Sequence, residues 1–62
     1  MTHKLALIRG VKGYTQQEVS NRTGYTQGQI SRWENGHSIS LETAVRLSEA
    51  LEVSLDDLIC RK

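Results

Sequence analysis

The stretch "TQGQISRWENG", Thr26 to Gly36, combines a helix pattern with a distinctive set of outward side chains. At about 100° of rotation per residue, Ile30 and Trp33 fall on one side and predict the buried face of a helix. Apart from Arg32, the outer positions lack the long charged residues that are common on solvated helices. They hold amides, a glycine, a hydroxyl and one guanidinium, which are Gln27, Gly28, Gln29, Ser31 and Arg32. Such short or forked groups suit a surface that is pressed against a binding partner.

A second helix pattern lies directly before this stretch. In "TQQE", Thr15 is followed three residues later by Glu18, and the same spacing recurs in "TQGQ". Both are capping boxes, in which two side chains satisfy N–H groups that a helix start leaves open. Because only a short turn at Gly24 separates the two patterns, the helices cannot lie antiparallel and must cross steeply. Residues 16–35 are therefore predicted to form a helix-turn-helix.

The other apolar residues also recur at helical spacing, and no segment reads as a strand. A first helix is predicted to contain Leu5 and Ile8 and to stop near Gly13. Ser54 is expected to cap a last helix, "SLDDLIC", and Ser40 is expected to cap the longest one. The apolar residues of that longest helix are Leu41, Ala44, Val45, Leu47, Ala50 and Leu51. The predicted fold class is all-α, with five helices.

Length and composition limit the classes of protein to which this chain can belong. Its 62 residues allow one domain, residues 1–62, and leave no room for a ligand domain or a large enclosed active site. Cys60, expected in the last helix, is the only cysteine, which excludes an intramolecular disulfide and fits a cytoplasmic protein. No apolar run approaches the roughly 20 residues that span a bilayer. We expect no membrane association, no cofactor, no metal and no small-molecule ligand.

Charge is unevenly distributed along a chain whose net charge is only +1. Residues 1–33 carry five lysines and arginines against one glutamate, a net charge of +4. Residues 34–62 carry three basic against six acidic side chains, a net charge of −3. Such asymmetry can create one basic face on a nearly neutral molecule, which fits a nucleic-acid partner. Ordinary solvated charge is the alternative.

The outward face of the quoted stretch has the chemistry of base recognition. In the major groove of double-stranded DNA, a glutamine can pair with adenine through two hydrogen bonds and an arginine with guanine. The helix start at Thr26 would present N–H groups and a positive dipole end to phosphates. A polar helix facing water is the alternative, which the tight turn, the capping boxes and the outward Arg32 together disfavour. The expected base-reading residues are Gln27, Gly28, Gln29, Ser31 and Arg32.

Glu34 points toward the core on the same helical geometry, and a buried carboxylate needs a partner. Arg9, which follows the apolar Ile8 on the first helix, is the predicted partner in a structural ion pair. The alternative is that Glu34 bends out to solvent.

In combination, "YTQQEVSNRTGYTQGQISRWENG" and "SLETAVRLSEALEVSLDDL" resemble the lambda-repressor and Cro-like, XRE-type helix-turn-helix family of phage and bacterial regulators. The resemblance covers residues 5–59. It implies a compact five-helix lambda-repressor-like DNA-binding domain, usually a homodimer on a near-palindromic operator, with the third helix in the major groove. By matching position, Gln16 and Asn35 contact phosphates. The resemblance also implies that Arg9 pairs with Glu34. A repressor of transcription is therefore the leading prediction.

Several positions depart from the family pattern. Glu52 stands where a glycine normally ends the fourth helix, so a strained positive φ is expected there. Thr23 replaces a larger aliphatic residue and predicts a slightly thin core, and Ser20 replaces a small alanine between the crossing helices. Gly28 stands where a side chain often faces the bases. The loop at His37 lacks the basic residues of some relatives, although His37 itself is expected beside the DNA backbone, against a phosphate.

The remaining apolar residues are divided between the core and a dimer interface. Leu58 is assigned to the core, and the candidate residues of the dimer interface, with core packing as the alternative, are Ile39, Leu55 and Ile59. An antitoxin-like module, which binds a protein partner and also its own operator, is the alternative function. An enzyme is not expected, because His3 and His37 belong to no metal-ligand spacing or nucleophile motif. His3 is expected to be a solvated terminal residue.

Overall fold

The computed structural model describes residues 2–59, in which five α-helices follow one another without a strand. Their bounds are α1 Leu5–Lys12, α2 Gln16–Thr23, α3 Gln27–Glu34, α4 Leu41–Leu51 and α5 Leu55–Leu58. The all-α prediction and the order of the helices are confirmed. The last helix is shorter than predicted, because Ile59 is extended and pairs with His3 in an isolated antiparallel bridge. The predicted place of Cys60 lies outside the described residues.

Hydroxyl side chains start four of the five helices in the described part of the chain. Thr15 and Thr26 each accept a hydrogen bond from the N–H three residues later, and the side chain of that third residue accepts one in return. Both predicted capping boxes are therefore formed. Ser40 and Ser54 cap α4 and α5 through their hydroxyl oxygens. Four helix starts are thus decided by residues adjacent to them in the sequence.

The turn between α2 and α3 makes the two helices cross. Gly24 ends α2 with a φ of +84°, a left-handed conformation that glycine adopts at little cost. Only Tyr25 and Thr26 follow before α3 begins. The Ser20 hydroxyl donates to the Tyr25 carbonyl at 2.5 Å and so holds the path of the turn. The serine that departs from the family pattern therefore has a structural role of its own.

The apolar core lies where the helices meet. Every helix contributes to it, and its buried residues are Leu5, Val19, Ile30, Ile39, Ala44, Leu47, Leu51 and Leu58. The assignment of Leu58 to the core is confirmed. Ile30 is the only fully buried residue of α3, with Trp33 partly buried against the core. The exposed residues of α3 are Gln27, Gly28, Gln29 and Arg32, which leaves one polar side of the helix outside the core.

Burial corrects one prediction about an apolar residue and shows which part of α4 is uncovered. Ile39, in the loop that joins α3 to α4, is only 5% exposed because its side chain belongs to the core. It is therefore not available to a dimer interface. Leu41 and Val45, two of the apolar residues of α4, remain 58% and 38% exposed, because the neighbouring helices cover less than the full apolar arc of α4. The other two interface candidates, Leu55 and Ile59, are half-buried and pack partly on the core.

The structure also shows how two departures from the family pattern are accommodated. Glu52 ends α4 with a φ of +59°, the positive φ that was predicted. Thr23 is buried, and its hydroxyl donates to the Val19 carbonyl at 2.8 Å and accepts from the Tyr25 N–H at 3.2 Å. Threonine therefore enters the core without leaving a buried polar atom unsatisfied.

The two ends of the described chain meet beside α1. The Lys4 N–H donates to the Leu58 carbonyl at 2.6 Å. The His3 ring accepts from the Leu5 N–H through Nδ1 at 3.2 Å and donates to the His37 carbonyl through Nε2 at 3.0 Å. The prediction of a solvated His3 is therefore wrong, because both ring nitrogens are engaged with the backbone.

Candidate nucleic-acid interface

The outward face of α3 carries four of the five predicted base-reading residues, all exposed: Gln27, Gly28, Gln29 and Arg32. The fifth, Ser31, is half-buried, because it follows the fully buried Ile30 and lies close to the packed arc of the helix. A Cβ added at Gly28 would meet only the Thr26 hydroxyl oxygen, at 3.9 Å. The surface at Gly28 is therefore low and open, and a partner can approach the backbone of α3 closely there.

At the start of α3, Gln29 is hydrogen-bonded to Thr26, whereas two backbone N–H groups have no acceptor within the described residues. The Gln29 Oε1 accepts from the Thr26 N–H at 2.9 Å and from the Thr26 hydroxyl at 3.3 Å. The N–H of Thr26, the first candidate for a phosphate contact, is therefore already bonded within the chain. Within residues 2–59 no hydrogen bond is found from the backbone N–H groups of Gln27 and Gly28. These two N–H groups, at the positive end of the helix dipole, are suited to bind an anion.

Gln16, the other candidate at a helix start, joins α2 to the end of α3. Its Nε2 donates to the Glu34 Oε1 at 2.9 Å. Since a side-chain amide nitrogen carries two hydrogens, one donor of Gln16 remains for an outside acceptor. Gln16 is half-buried at the first position of α2.

Glu34 and Arg9 are brought together across α1 and α3 as a bidentate pair. Arg9 Nε donates to Glu34 Oε2 at 2.5 Å, and Arg9 Nη2 donates to Glu34 Oε1 at 3.1 Å. The third nitrogen of the guanidinium, Nη1, donates to the Tyr14 carbonyl at 2.9 Å. The Glu34 side chain is 9% exposed, so this carboxylate is largely removed from water. With the bond from Gln16, it connects α1, α2 and α3.

The ionised form of Glu34 is favoured in the fold. Burial by itself would raise the pKa of this carboxyl, but hydrogen bonds from Arg9 and Gln16, together with the charge of Arg9, lower the pKa below its ordinary value. The hydrogen bond to Glu34 raises the pKa of Arg9, against the opposing effect of partial burial. Both members of the pair therefore stay charged, and the end of α3 stays attached to α1.

Two tyrosines make ring contacts near the interface that were not predicted. Tyr25 meets Trp33 edge to face with ring centroids 5.0 Å apart, and the guanidinium of Arg46 lies 5.6 Å from the Tyr25 centroid. The guanidinium of Arg22 lies 4.3 Å from the centroid of Tyr14. Each tyrosine directly precedes a capping threonine in the repeated "YTQ", a position at which an apolar side chain often packs on its own helix.

Asn35 and His37 lie beyond the end of α3. The Asn35 N–H is bonded to the carbonyls of Ser31 and Arg32, both at 3.1 Å, and its side chain is exposed. His37 is exposed in the loop that leads to α4, and its carbonyl is held by the His3 ring. Both predicted phosphate-contacting side chains are therefore accessible on the described surface.

The family model described as helix-turn-helix matches residues 5–58, which include all five described helices. No curated protein matches the chain. Within residues 2–59, no helix combines the length and the apolar character needed to cross a membrane. Since the match covers most of the chain and agrees with the capped, crossing pair α2 and α3, the chain belongs to the XRE, lambda-repressor-like helix-turn-helix family of DNA-binding transcription regulators.

Proposed function

We propose that this chain is a repressor that binds a near-palindromic operator as a homodimer, with α3 in the major groove. The domain would span residues 1–62, with its helix-turn-helix at 16–35. One observation carries the proposal: α3 holds Ile30 in the core and turns an exposed polar face outward. On that face, Arg32 is assigned to guanine and Gln27 to adenine, since their side chains match the hydrogen-bonding groups of those bases in the major groove.

Phosphate binding is assigned to backbone and side-chain donors around this face. The free N–H groups of Gln27 and Gly28 would bind one phosphate at the start of α3. The second N–H of the Gln16 amide, and the exposed side chains of Asn35 and His37, would bind others on the same side. Thr26 would act through the cap that orients those N–H groups, because its own N–H is engaged with Gln29.

Dimerisation is assigned to the surface formed by α4 and α5. Leu55 and Ile59 are half-buried, and Leu41 at the start of α4 is 58% exposed. Ile39 is removed from this set, since the core covers it. A two-fold axis there would place two copies of α3 about 34 Å apart, the length of one turn of duplex.

Selection of bound duplexes from a random pool is the experiment that tests this function. We expect an enriched site with two inverted half-sites whose centres are about one turn of duplex apart. Arg32→Ala should relax base preference at one position of each half-site. Gln16→Ala should weaken binding by a similar factor for every sequence, because a phosphate contact carries no sequence information.

Two outcomes of the selection would contradict the proposal. Failure of the wild-type chain to enrich any sequence would exclude sequence-specific binding. Enrichment of a single half-site without an inverted repeat would exclude the two-fold dimer. The sign of regulation is tested separately, by placing the selected site across a promoter. Transcription should fall as the protein concentration rises, and an increase would identify an activator instead.

The antitoxin-like alternative is favoured by one surface. Leu7 and Val11, one turn apart on α1, are 61% and 76% exposed, and neither belongs to the faces assigned above to DNA or to the dimer. An apolar pair of this kind is a candidate contact for another protein. If the alternative is correct, a second protein should co-purify in stoichiometric amount with the wild-type chain and be lost from a variant carrying Leu7→Lys and Val11→Lys.

A further inference from the structure

We infer that Gln29 selects guanine at one position of each half-site because the cap of α3 leaves this side chain able only to donate hydrogen bonds. The inference deepens the proposed DNA-reading role of α3 and rests on it. A glutamine on a recognition helix is ordinarily expected to pair with adenine, as Gln27 does in the proposal above. In this chain the second exposed glutamine of α3, Gln29, has its amide oxygen bonded to Thr26.

The geometry of the capping box determines which groups Gln29 can offer. Its Oε1 accepts from the Thr26 N–H at 2.9 Å and from the Thr26 hydroxyl at 3.3 Å. A carbonyl oxygen has two lone pairs, so both acceptor sites of Gln29 are engaged. A backbone N–H can only donate, which requires that the oxygen, and not the nitrogen, of the amide faces Thr26. The exposed side chain therefore presents its NH₂ group outward.

The four bases differ in the acceptors that they offer in the major groove to a group that only donates hydrogen bonds. Guanine shows two neighbouring acceptors in the major groove, N7 and O6, which one NH₂ group can approach together. Adenine places a donor beside its N7, so pairing with adenine through two bonds needs a free carbonyl oxygen. The carbonyl oxygen of Gln29 is already bonded to Thr26. Cytosine presents a donor and thymine only one acceptor beside a methyl group. Guanine is therefore the base that best fits Gln29.

Gln27 provides the contrast within the same turn of helix. Among the described hydrogen bonds of residues 2–59, none involves the Gln27 amide, so its oxygen and nitrogen are both available to a base. Two glutamines separated by Gly28 would therefore read different bases. The difference arises because Gln29 occupies the third position of α3, which closes the capping box, and Gln27 occupies the first.

The capping box of α2 indicates which substitution of Gln29 should preserve the cap of α3. The corresponding box of α2 uses Glu18, whose Oε1 accepts from the Thr15 N–H at 2.7 Å. Gln29→Glu should therefore keep the cap of α3 while removing the NH₂ donor. Gln29→Ala removes both the cap and the donor. Thermal melting of the two variants separates the loss of the cap from the loss of base recognition.

The test is the random-pool selection performed with the wild-type chain, Gln29→Glu, Gln29→Ala and Gln27→Ala. We expect the wild type to prefer guanine over adenine by about tenfold at one position of each half-site. Gln29→Glu should melt at the wild-type temperature and exchange guanine for cytosine at that position, because a carboxylate accepts from the cytosine amino group. Gln29→Ala should lose the preference there. Gln27→Ala should keep the guanine and lose an adenine elsewhere.

Three results would overturn the inference. A half-site in which Gln29→Ala abolishes an adenine preference would mean that the capping box opens on DNA. An unchanged base preference in both Gln29 variants would mean that Gln29 is not a reader. In these two cases the wild-type chain still selects an inverted repeat, so the proposed function survives without the inference. If the wild-type chain selects nothing, both are wrong.

Discussion

At the scale of single residues, Glu34 is the point at which three helices are connected. A carboxylate that is 9% exposed is costly to desolvate, and here it receives two hydrogen bonds from Arg9 and one from Gln16. The interaction is asymmetric: removing one partner of such a pair leaves a buried charge and costs more than the pair contributes. The position of α3 relative to α1 and α2 therefore depends on a few side-chain atoms.

Replacing Arg9 tests this dependence. Arg9→Ala leaves Glu34 without its cation and should lower the free energy of unfolding by about 3 kcal/mol, the lower end of the range for buried pairs, because Arg9 is itself a quarter exposed. Unfolding by urea measures the loss. Lys12→Ala, an exposed basic residue of the same helix, is the matched control and should change stability little. Similar losses for the two variants would refute the structural role of the pair.

The same pair predicts how stability depends on pH. Because the pKa of Glu34 is lower in the folded protein than its ordinary value, the carboxylate contributes stability at neutral pH that is lost as the pH falls through the lower, folded pKa. Glu34→Gln cannot titrate there. Urea unfolding at a series of acidic pH values should show a smaller decline for Glu34→Gln than for the wild type. Parallel declines would show that other carboxyl groups account for the acid sensitivity.

At the scale of an element, the end of α4 carries the backbone strain of a left-handed glutamate. Glu52 has a φ of +59°, a conformation that costs roughly 1 kcal/mol or more for a residue with a Cβ. Glu52→Gly relieves this strain but adds the conformational entropy of glycine to the unfolded chain, so it should raise the free energy of unfolding by up to about 1 kcal/mol. Glu49→Gly, the same substitution inside the helix, should lower it by roughly 0.5–1 kcal/mol. Urea unfolding should therefore show a gain of stability for Glu52→Gly and a loss for Glu49→Gly. A loss of stability in both variants would contradict the presence of strain at Glu52.

The first helix has one packed side and one unpacked side. Leu5 is fully buried, whereas Leu7 and Val11 are largely exposed. The double variant with Leu7→Lys and Val11→Lys should thus unfold within roughly 0.5 kcal/mol of the wild type per substitution, whereas Leu5→Ala should cost about 2–5 kcal/mol. Thermal and urea unfolding measure both. A large loss in the double variant would mean that this side of α1 is covered in solution, for example by a second protein chain.

At the scale of the whole molecule, DNA binding should respond weakly to salt. Among the residues assigned to DNA, Arg32 is the only lysine or arginine, and the other donors are uncharged amides, backbone N–H groups and a histidine. Counterion release arises when cations neutralise phosphates, so a dimer whose two Arg32 side chains are its only assigned cations should show a slope of log affinity against log salt no steeper than about −2. Ser38→Lys, in the exposed loop after α3, should steepen the slope by about 2. A wild-type slope several times larger would place additional cations on the DNA.

Features decided by neighbouring residues were predictable from the sequence. The two capping boxes, the crossing of α2 and α3, and the burial of Ile30 follow from residues three or four positions apart, because hydrogen bonds at helix starts and the helical period are local. The positive φ of Glu52 was anticipated from the family resemblance, in which a glycine normally ends the fourth helix. Even the pairing of Arg9 with Glu34 was anticipated, because a buried carboxylate requires a cation.

Only the tertiary structure decided features that depend on distant parts of the chain. Ile39 proved buried and Leu41 exposed, although both are apolar, because the packing of other helices determines which surface is covered. His3 is held by the carbonyl of His37, 34 positions away, which no local pattern indicates. The sequence by itself determined which helices form and which face of α3 is polar. The packed fold determined how those helices are attached to one another, because long-range contacts form only where the chain brings their partners together.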